Sequence, residues 1–315
     1  MRWYRSLVAY LDERERGEAL ALFRIFVGLA LVVDLGATAP DGVLSAIWID
    51  IHHGGYRPLG FGTFLVQALG GPTPEVIWGL FGATVAAGLA MIVGLGGRFT
   101  ALLAAQGFLA LSGLNGHTRG SYDALLSNLL WLNVLANGTA TWSLDAKLFT
   151  GRWSTDRLVT SWPRRLGILQ LVLLYFSTGL HKISAHWTPA GGFSALYYIL
   201  QQPSWHRVDM AWAAYVYPLT QLGTAITWAF EVGAPILLFM LWRERRRGRR
   251  NNYRRWFVLV GVLLHTGIFV FMEVGPFTVI IWSLYLCLFT PDEVRRLFDA
   301  TVFLSRAEGR SCNSA

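Results

Sequence analysis

Cysteine is nearly missing from this chain, with two in 315 residues. Cys287 falls inside an apolar run and Cys312 close to the last residue, so neither a disulfide framework nor a cysteine-ligated zinc site can be assembled. Charge is scarce as well, at 15% of residues. It does not gather into a basic domain with interleaved aromatics, which argues against nucleic-acid binding despite a net charge of +8. No GxxxxGK(S/T) loop is present to cradle a phosphate, and no GxGxxG opens a helix. His52 and His53 are adjacent, so they do not share a helix face as a HExxH pair would, and no metal is expected. The mixed arginines and acids of Met1 to Glu18 precede no small-residue cleavage site, which excludes a removable signal peptide.

What the chain has in abundance is apolar surface: 54% of residues are hydrophobic, more than one soluble core of ordinary proportions would use. A helix needs about 20 mostly apolar residues to cross a bilayer. Eight windows approach that length: Ala19 to Ala37, Pro74 to Leu95, Phe99 to Leu114, Tyr122 to Asn137, Leu166 to Ile183, Leu219 to Trp242, Trp256 to Met272 and Pro276 to Thr290. The expected fold is therefore an all-α, polytopic transmembrane bundle of about eight spans. Between the windows, Val43 to Leu69 and Gly191 to Tyr217 are too polar or too broken by Gly and Pro to span. They are expected to form interfacial or re-entrant pieces on the outer side. Many of the 14 tryptophans fall near window ends, as an aromatic belt requires.

Basic residues in short loops stay on the cytoplasmic side. The run from Arg243 to Arg255 holds eight arginines and one acid, so it is placed inside. Counting back puts Lys147, Arg152, Arg157, Arg164 and Arg165 inside as well, with Arg98 at an inner turn formed by GLGGR (Gly94 to Arg98). Both termini are then cytoplasmic. The expected layout is a cytoplasmic segment 1–18, one transmembrane domain 19–290 and a cytoplasmic tail 291–315. These charges are given topology and anionic-lipid contact, and no chemistry.

Ionisable groups inside spans are costly, and each is a candidate site residue. They are Arg24, Asp34, Lys182, Glu231 and His265. Lys182 shares a helix face with Tyr175, Thr178 and Gly179 at offsets of seven, four and three, and Gly179 would let a ligand or another helix come close. Thr220, Thr224, Thr227 and Glu231 draw a polar stripe down the sixth window. Asp34, Lys182, Glu231 and His265 are expected to converge in the middle-to-outer part of the bundle, with Arg24 in the inner half. Paired charges or a lone histidine can also simply join helices. A desolvated Lys182 beside His181, with His186 and Trp187 following, could instead serve as a base near neutral pH.

Five stretches carry a resemblance: LALFRIFVGLALVVD (Leu20 to Asp34), GLGGRFTALL (Gly94 to Leu103), ANGTATWSLD (Ala136 to Asp145), YFSTGLHKISAHW (Tyr175 to Trp187) and LLHTGIFVFMEVGPF (Leu263 to Phe277). In this order they resemble the membrane domain of vitamin K-dependent gamma-carboxylase and its bacterial relatives, the HTTM (horizontally transferred transmembrane) family. In the carboxylases the segment matching YFSTGLHK reads roughly YFxxGxKK. Its second lysine, at the position of Lys182, deprotonates reduced vitamin K, while His181 stands where the first lysine would be. The resemblance thus implies a menaquinol-type quinol as cofactor. Its oxygenated anion would take a proton from a glutamate γ-carbon, and the carbanion would capture carbon dioxide. The family's Asn-His-Ser-Tyr motif appears here as Arg119-Gly120-Ser121-Tyr122, so His117 would have to stand in for its histidine. The carboxylases also carry a large extracytoplasmic substrate domain that these stretches do not match, so a separate protein substrate or partner chain is implied.

The expected function is a carboxylase-like membrane enzyme of a bacterial inner membrane. It would use Lys182 as general base, assisted by His181 and His265, and bind a lipid-soluble quinol near Tyr175, Thr178, Gly179, His117, Ser121, Tyr122, His186 and Trp187. Arg24, Asp34 and Glu231 would form a buried charge network. Two other readings stand beside it: a non-enzymatic membrane maturation or export partner, and a small-solute or ion carrier with Asp34, Glu231 and His265 as a relay.

Overall fold

The computed structural model describes residues 2–55, 63–248 and 251–299, without the side chains of Arg2, Trp3 and Ser121. It is helical throughout except for two three-residue strands. In chain order the elements are α1 (Arg2–Leu11), β1 (Arg14–Arg16), α2 (Glu18–Thr38), α3 (Val43–Trp48), α4 (Phe64–Ala68), α5 (Pro74–Val93), α6 (Gly97–Ser112), α7 (Ser121–Leu135), α8 (Leu144–Thr150), β2 (Leu158–Thr160), α9 (Trp162–His181), α10 (Ala195–Leu200), α11 (Tyr217–Val232), α12 (Pro235–Arg247), α13 (Tyr253–Phe271) and α14 (Phe277–Leu286). A last helix, α15, covers Pro291–Asp299. The chain divides into two units, Met1–Arg165 with Phe289–Ala315, and Leu166–Leu288.

In the first unit α2, α5, α6 and α7 pack side by side. Their ends follow local chemistry. The Thr73 hydroxyl accepts a hydrogen bond from the Val76 N–H at 3.4 Å and Pro74 occupies the first turn of α5. Gly94, at φ 74°, ends that helix. The turn into α6 is held by Asp145: its carboxylate accepts from the Gly96 N–H and its own N–H donates to the Gly94 carbonyl, both at 3.0 Å. Where α2 meets α5 the helices touch through glycine. A Cβ on Gly28 would lie 2.9 Å from the Gly88 carbonyl oxygen and 3.0 Å from the Ile92 side chain. Small residues at such crossings let backbones approach where lipid offers no hydrophobic drive. At one end of the unit β1 and β2 pair antiparallel, with Arg14 opposite Thr160 and Arg16 opposite Leu158. The Arg164 guanidinium donates to both oxygens of Glu15, at 2.7 and 2.6 Å, and Arg165 pairs with Glu13.

The second unit holds α9 beyond Arg165 together with α10 to α14. The sixth apolar window, expected to be one continuous span, is broken: Ala211–Val232 and Pro235–Arg247 meet at 54°. Pro235 has no N–H to offer the Glu231 carbonyl. That carbonyl accepts instead from Ala234 at 3.2 Å, and the helix turns there. Gly191 to Tyr217 is neither a span nor a plain loop but 3-10 turns around α10. It folds back on the end of α13, where the Glu273 N–H donates to the Trp205 carbonyl at 3.0 Å and the Arg207 N–H to that of Phe271 at 3.2 Å. Leu200, Met210 and Ala213 form a small core there with Phe271 and Met272.

Each of the eight apolar windows is helical, yet their lengths differ. Among the described residues α2, α5 and α13 are long and apolar enough to cross a membrane, and the number rises to five if the bent pairs α11/α12 and α14/α15 are each one span. α6, α7 and α14 hold 16, 15 and 10 residues. At about 1.5 Å per residue, α14 covers only about half of a hydrocarbon core of roughly 30 Å. The chain is a multi-pass helical membrane protein. Part of Val43 to Leu69, at 56–62, and residues 300–315 of the tail lie outside the described residues.

The contact at Gly28 gives a direct test. Gly28→Leu should cost about 1–3 kcal/mol by overpacking against the α5 backbone, read as a lower melting temperature in detergent. Gly82→Ala, in open space on the same α5, should leave the melting temperature level or slightly higher.

Candidate functional site

The second unit assembles a polar cluster on four helices, α9, α11, α13 and α14. Gly179 of α9 is the point of closest approach to α11: a Cβ there would lie 2.9 Å from the Val232 nitrogen and 3.0 Å from the Glu231 Cβ. One turn further on, Lys182 forms an ion pair with Glu231, the residue at which the proline break begins. The side chains keep 20% and 9% of their exposure, respectively. The Thr178 hydroxyl donates to the Tyr175 carbonyl at 2.9 Å and lies near the Glu231 carboxylate. Above the ammonium lies the Trp187 ring, 4.4 Å from Nζ to the centroid. The next 3-10 turn, Ala185–Trp187, sets that indole, and Ser184 caps it.

Beneath the pair is a hydrogen-bonded row of rings. The Tyr175 hydroxyl is 2.6 Å from His265 Nε2 and 2.7 Å from the Tyr285 hydroxyl, all three residues being buried. Gly261, one turn before His265, leaves the space that the Tyr285 hydroxyl fills. Phe230 and Phe257 stack at 4.5 Å and close the apolar side, and Tyr175 meets Phe230 edge-on at 5.1 Å. His265 Nδ1 is buried with no hydrogen-bond partner. The cluster therefore joins an ionised pair that solvent or lipid reaches to a buried phenol–imidazole–phenol row in apolar surroundings.

The other expected site residues fall in different places. His181 is exposed, and its Nδ1 meets the Ser177 carbonyl of its own helix at 2.7 Å. His186 Nδ1 shares a 2.7 Å hydrogen bond with the Ser194 hydroxyl, and its ring stands 4.9 Å from Tyr198. Thr224 accepts from the Leu196 N–H at 3.0 Å, so the polar stripe of α11 serves the start of α10. Asp34 belongs to the first unit, in electrostatic range of Tyr122 and Asp123. His117 is exposed in the same unit, and the Ser121 side chain lies outside the described residues. Arg24, also there, donates to the Trp142 carbonyl at 2.7 Å, with Trp142 in the left-handed region at φ 48°. Of the expected residues, then, Lys182, Glu231, Thr178, Gly179, Tyr175, His265 and Trp187 come together within one unit. Tyr285 was missed: a lone tyrosine in the apolar run IIWSLYLCLF was its one signal. Among the described residues no group of His, Cys, Asp or Glu could hold a metal ion.

An all-helical membrane domain carrying this cluster defines the class of the protein. The family model of the HTTM domain matches residues 13–285, and the chain belongs to that family, a membrane domain associated with gamma-carboxylase-like proteins. No curated protein and no solved structure matches it.

The ring row should behave as one unit. Tyr175→Phe leaves His265 and Tyr285 short of a partner and should cost about 1–3 kcal/mol. Combining it with Tyr285→Phe should cost less than the two changes added, with a coupling of about 0.5–3 kcal/mol in thermal melts. Strict additivity would mean the three groups are not linked.

Proposed function

We propose that this protein is a gamma-carboxylase-like membrane enzyme that binds a menaquinol-type quinol beside the Lys182–Glu231 pair and uses Lys182 as general base. The single observation that carries the reading is the ion pair itself. A lysine amine is held against a carboxylate that has lost most of its exposure, under an indole, and still partly accessible. The residues present suit such a ligand. An acid–base pair can meet a hydroxyl, the Trp187 ring and the exposed Leu180 and Ile183 suit an apolar ring and tail, and the orphaned Nδ1 of His265 is a buried polar atom without a use in the fold.

A quinol bound there supplies an acidic hydroxyl and, once ionised, reducing chemistry with oxygen. The chain's part is proton handling. In the resting pair the ammonium of Lys182 faces the carboxylate of Glu231. Passing a proton from Nζ to Oε2 leaves a neutral amine, which then takes the proton of the incoming hydroxyl. Glu231 holds the displaced proton, and the low polarity around it makes a neutral carboxyl acceptable. Thr178 orients the carboxylate, and Trp187 limits water. His265, through Tyr175, positions the foot of the site, and His181 lies next to the lysine on its exposed side.

The remaining features of this proposal follow the arginine pattern and the family. They are eight spans with both termini cytoplasmic, a transmembrane domain over 19–290 between segments 1–18 and 291–315, the site towards the outer face of a bacterial inner membrane, and a separate protein substrate or partner chain. One alternative is favoured by the same ion pair: that it fastens α9 to α11 and does no chemistry.

Lipid analysis separates the two. Lys182→Met alone strands a carboxylate, so the double variant Lys182→Met/Glu231→Gln, which removes both charges, is the fair comparison. Menaquinone should co-purify with the unaltered protein, enriched over bulk membrane lipid, and the enrichment should vanish in the double variant while melting stays close to the original. No enrichment in the unaltered protein, or enrichment that survives in the variant, contradicts the proposal. A shifted melting point with unchanged lipids is the signature of a fastening role.

A further inference from the structure

The N-terminal helix α1, RWYRSLVAYL, is absorbed neither by the core nor by the site. Its residues 4, 7, 8 and 11 recur at helical spacing and share one face, while Arg5, Ser6 and Ala9 lie on the other. Packed helices bury such an apolar face, but here Leu7 and Val8 keep 46% and 45% of their exposure. Tyr4, on the same face, keeps 60%.

The helix is nevertheless held in place. Arg165 lays its guanidinium on the Tyr10 ring, 3.7 Å from the centroid. The residues that follow are pinned by the β1–β2 ladder and by the Arg164–Glu15 and Arg165–Glu13 ion pairs. Only six residues separate Leu11 from Glu18, where α2, one of the membrane-crossing helices, begins. The start of a spanning helix is where headgroups lie, and six residues reach at most about 20 Å. The exposed face of α1 is thus tethered at the depth of the bilayer surface.

We infer that α1 lies in the plane of the membrane at the N-terminal end of α2, with Leu7 and Val8 in the acyl boundary and Arg5 turned to the phosphate and water side. Three features fit lipid as the occupant. The polar face carries a cation suited to phosphate, the aromatic residues Tyr4 and Tyr10 flank the apolar pair as they do at membrane interfaces, and the tether leads directly into a span. The inference does not depend on the function proposed for Lys182.

Spin labelling of the full chain tests it. With Cys287 and Cys312 changed to Ala, single labels are placed through Leu7→Cys, Val8→Cys and Ala9→Cys in nanodiscs of phosphatidylcholine and phosphatidylglycerol. Collision rates are then measured with oxygen, which concentrates in lipid, and with a nickel chelate, which stays in water. Labels at 7 and 8 should collide at least severalfold more with oxygen than with the chelate, and the label at 9 should show the opposite ratio. High chelate collision at all three positions would place the helix in water and overturn the inference. Low collision with both reagents at 7 and 8 would mean a protein surface, a second copy or a partner, covers that face, and would overturn it equally.

Discussion

An ammonium and a carboxylate that cannot both be well hydrated set the terms for the rest of the second unit. Lys182 and Glu231 are tolerable among apolar helices only as a pair with further hydrogen bonds around them, and the surrounding residues supply those conditions. Gly179 brings the backbones together, Thr178 sets a hydroxyl near the carboxylate, and Trp187 stacks over the ammonium. The proline break after Glu231 belongs to the same arrangement. It interrupts the α11 ladder at the residue that carries the charge and turns the chain away. A straight helix would continue past that point; this one ends its first half at the site.

The first unit solves a different problem by similar means. Its helices meet at glycines, and its ends are fixed by charges kept at one extremity: Glu13, Glu15 and Asp156 against Arg165, Arg164 and Arg16. Within the span α2, Arg24 and Asp34 stand about 15 Å apart along the axis. They have separate surroundings, the Trp142 carbonyl for one and the neighbourhood of Tyr122 and Asp123 for the other. Among the described contacts Arg24 and Asp34 share no partner. Each charge is handled locally.

Much of this was legible in the sequence because the bilayer imposes a strong signal. Apolar length and period located every long helix, and the offsets from Lys182 to Tyr175, Thr178 and Gly179 found one wall of the site. The other wall was harder. Glu231 announced itself as a charge in an apolar run, but its partner depends on how two distant segments cross, which no local pattern encodes. Tyr285 carried even less signal, since a tyrosine among Ile, Leu and Trp looks like interface aromatics until Gly261 is seen to leave room for its hydroxyl. The number of spans is harder to read for a related reason: among the described residues three to five helices are long and apolar enough to cross, beside eight apolar windows. Hydropathy cannot tell a crossing helix from the shorter apolar helices α6, α7 and α14, and it runs across the Pro235 break without registering it.

On the proposed chemistry the Lys182–Glu231 pair absorbs a proton, with Glu231 ending as the neutral carboxyl. Infrared difference spectroscopy of the protein in lipid, before and after adding a reduced menaquinone analogue, reads this directly. A protonated-carboxyl C=O band should appear on binding and be absent from Glu231→Gln. No such band, or the same band in Glu231→Gln, would show that Glu231 takes up no proton and that the pair is only a fastener.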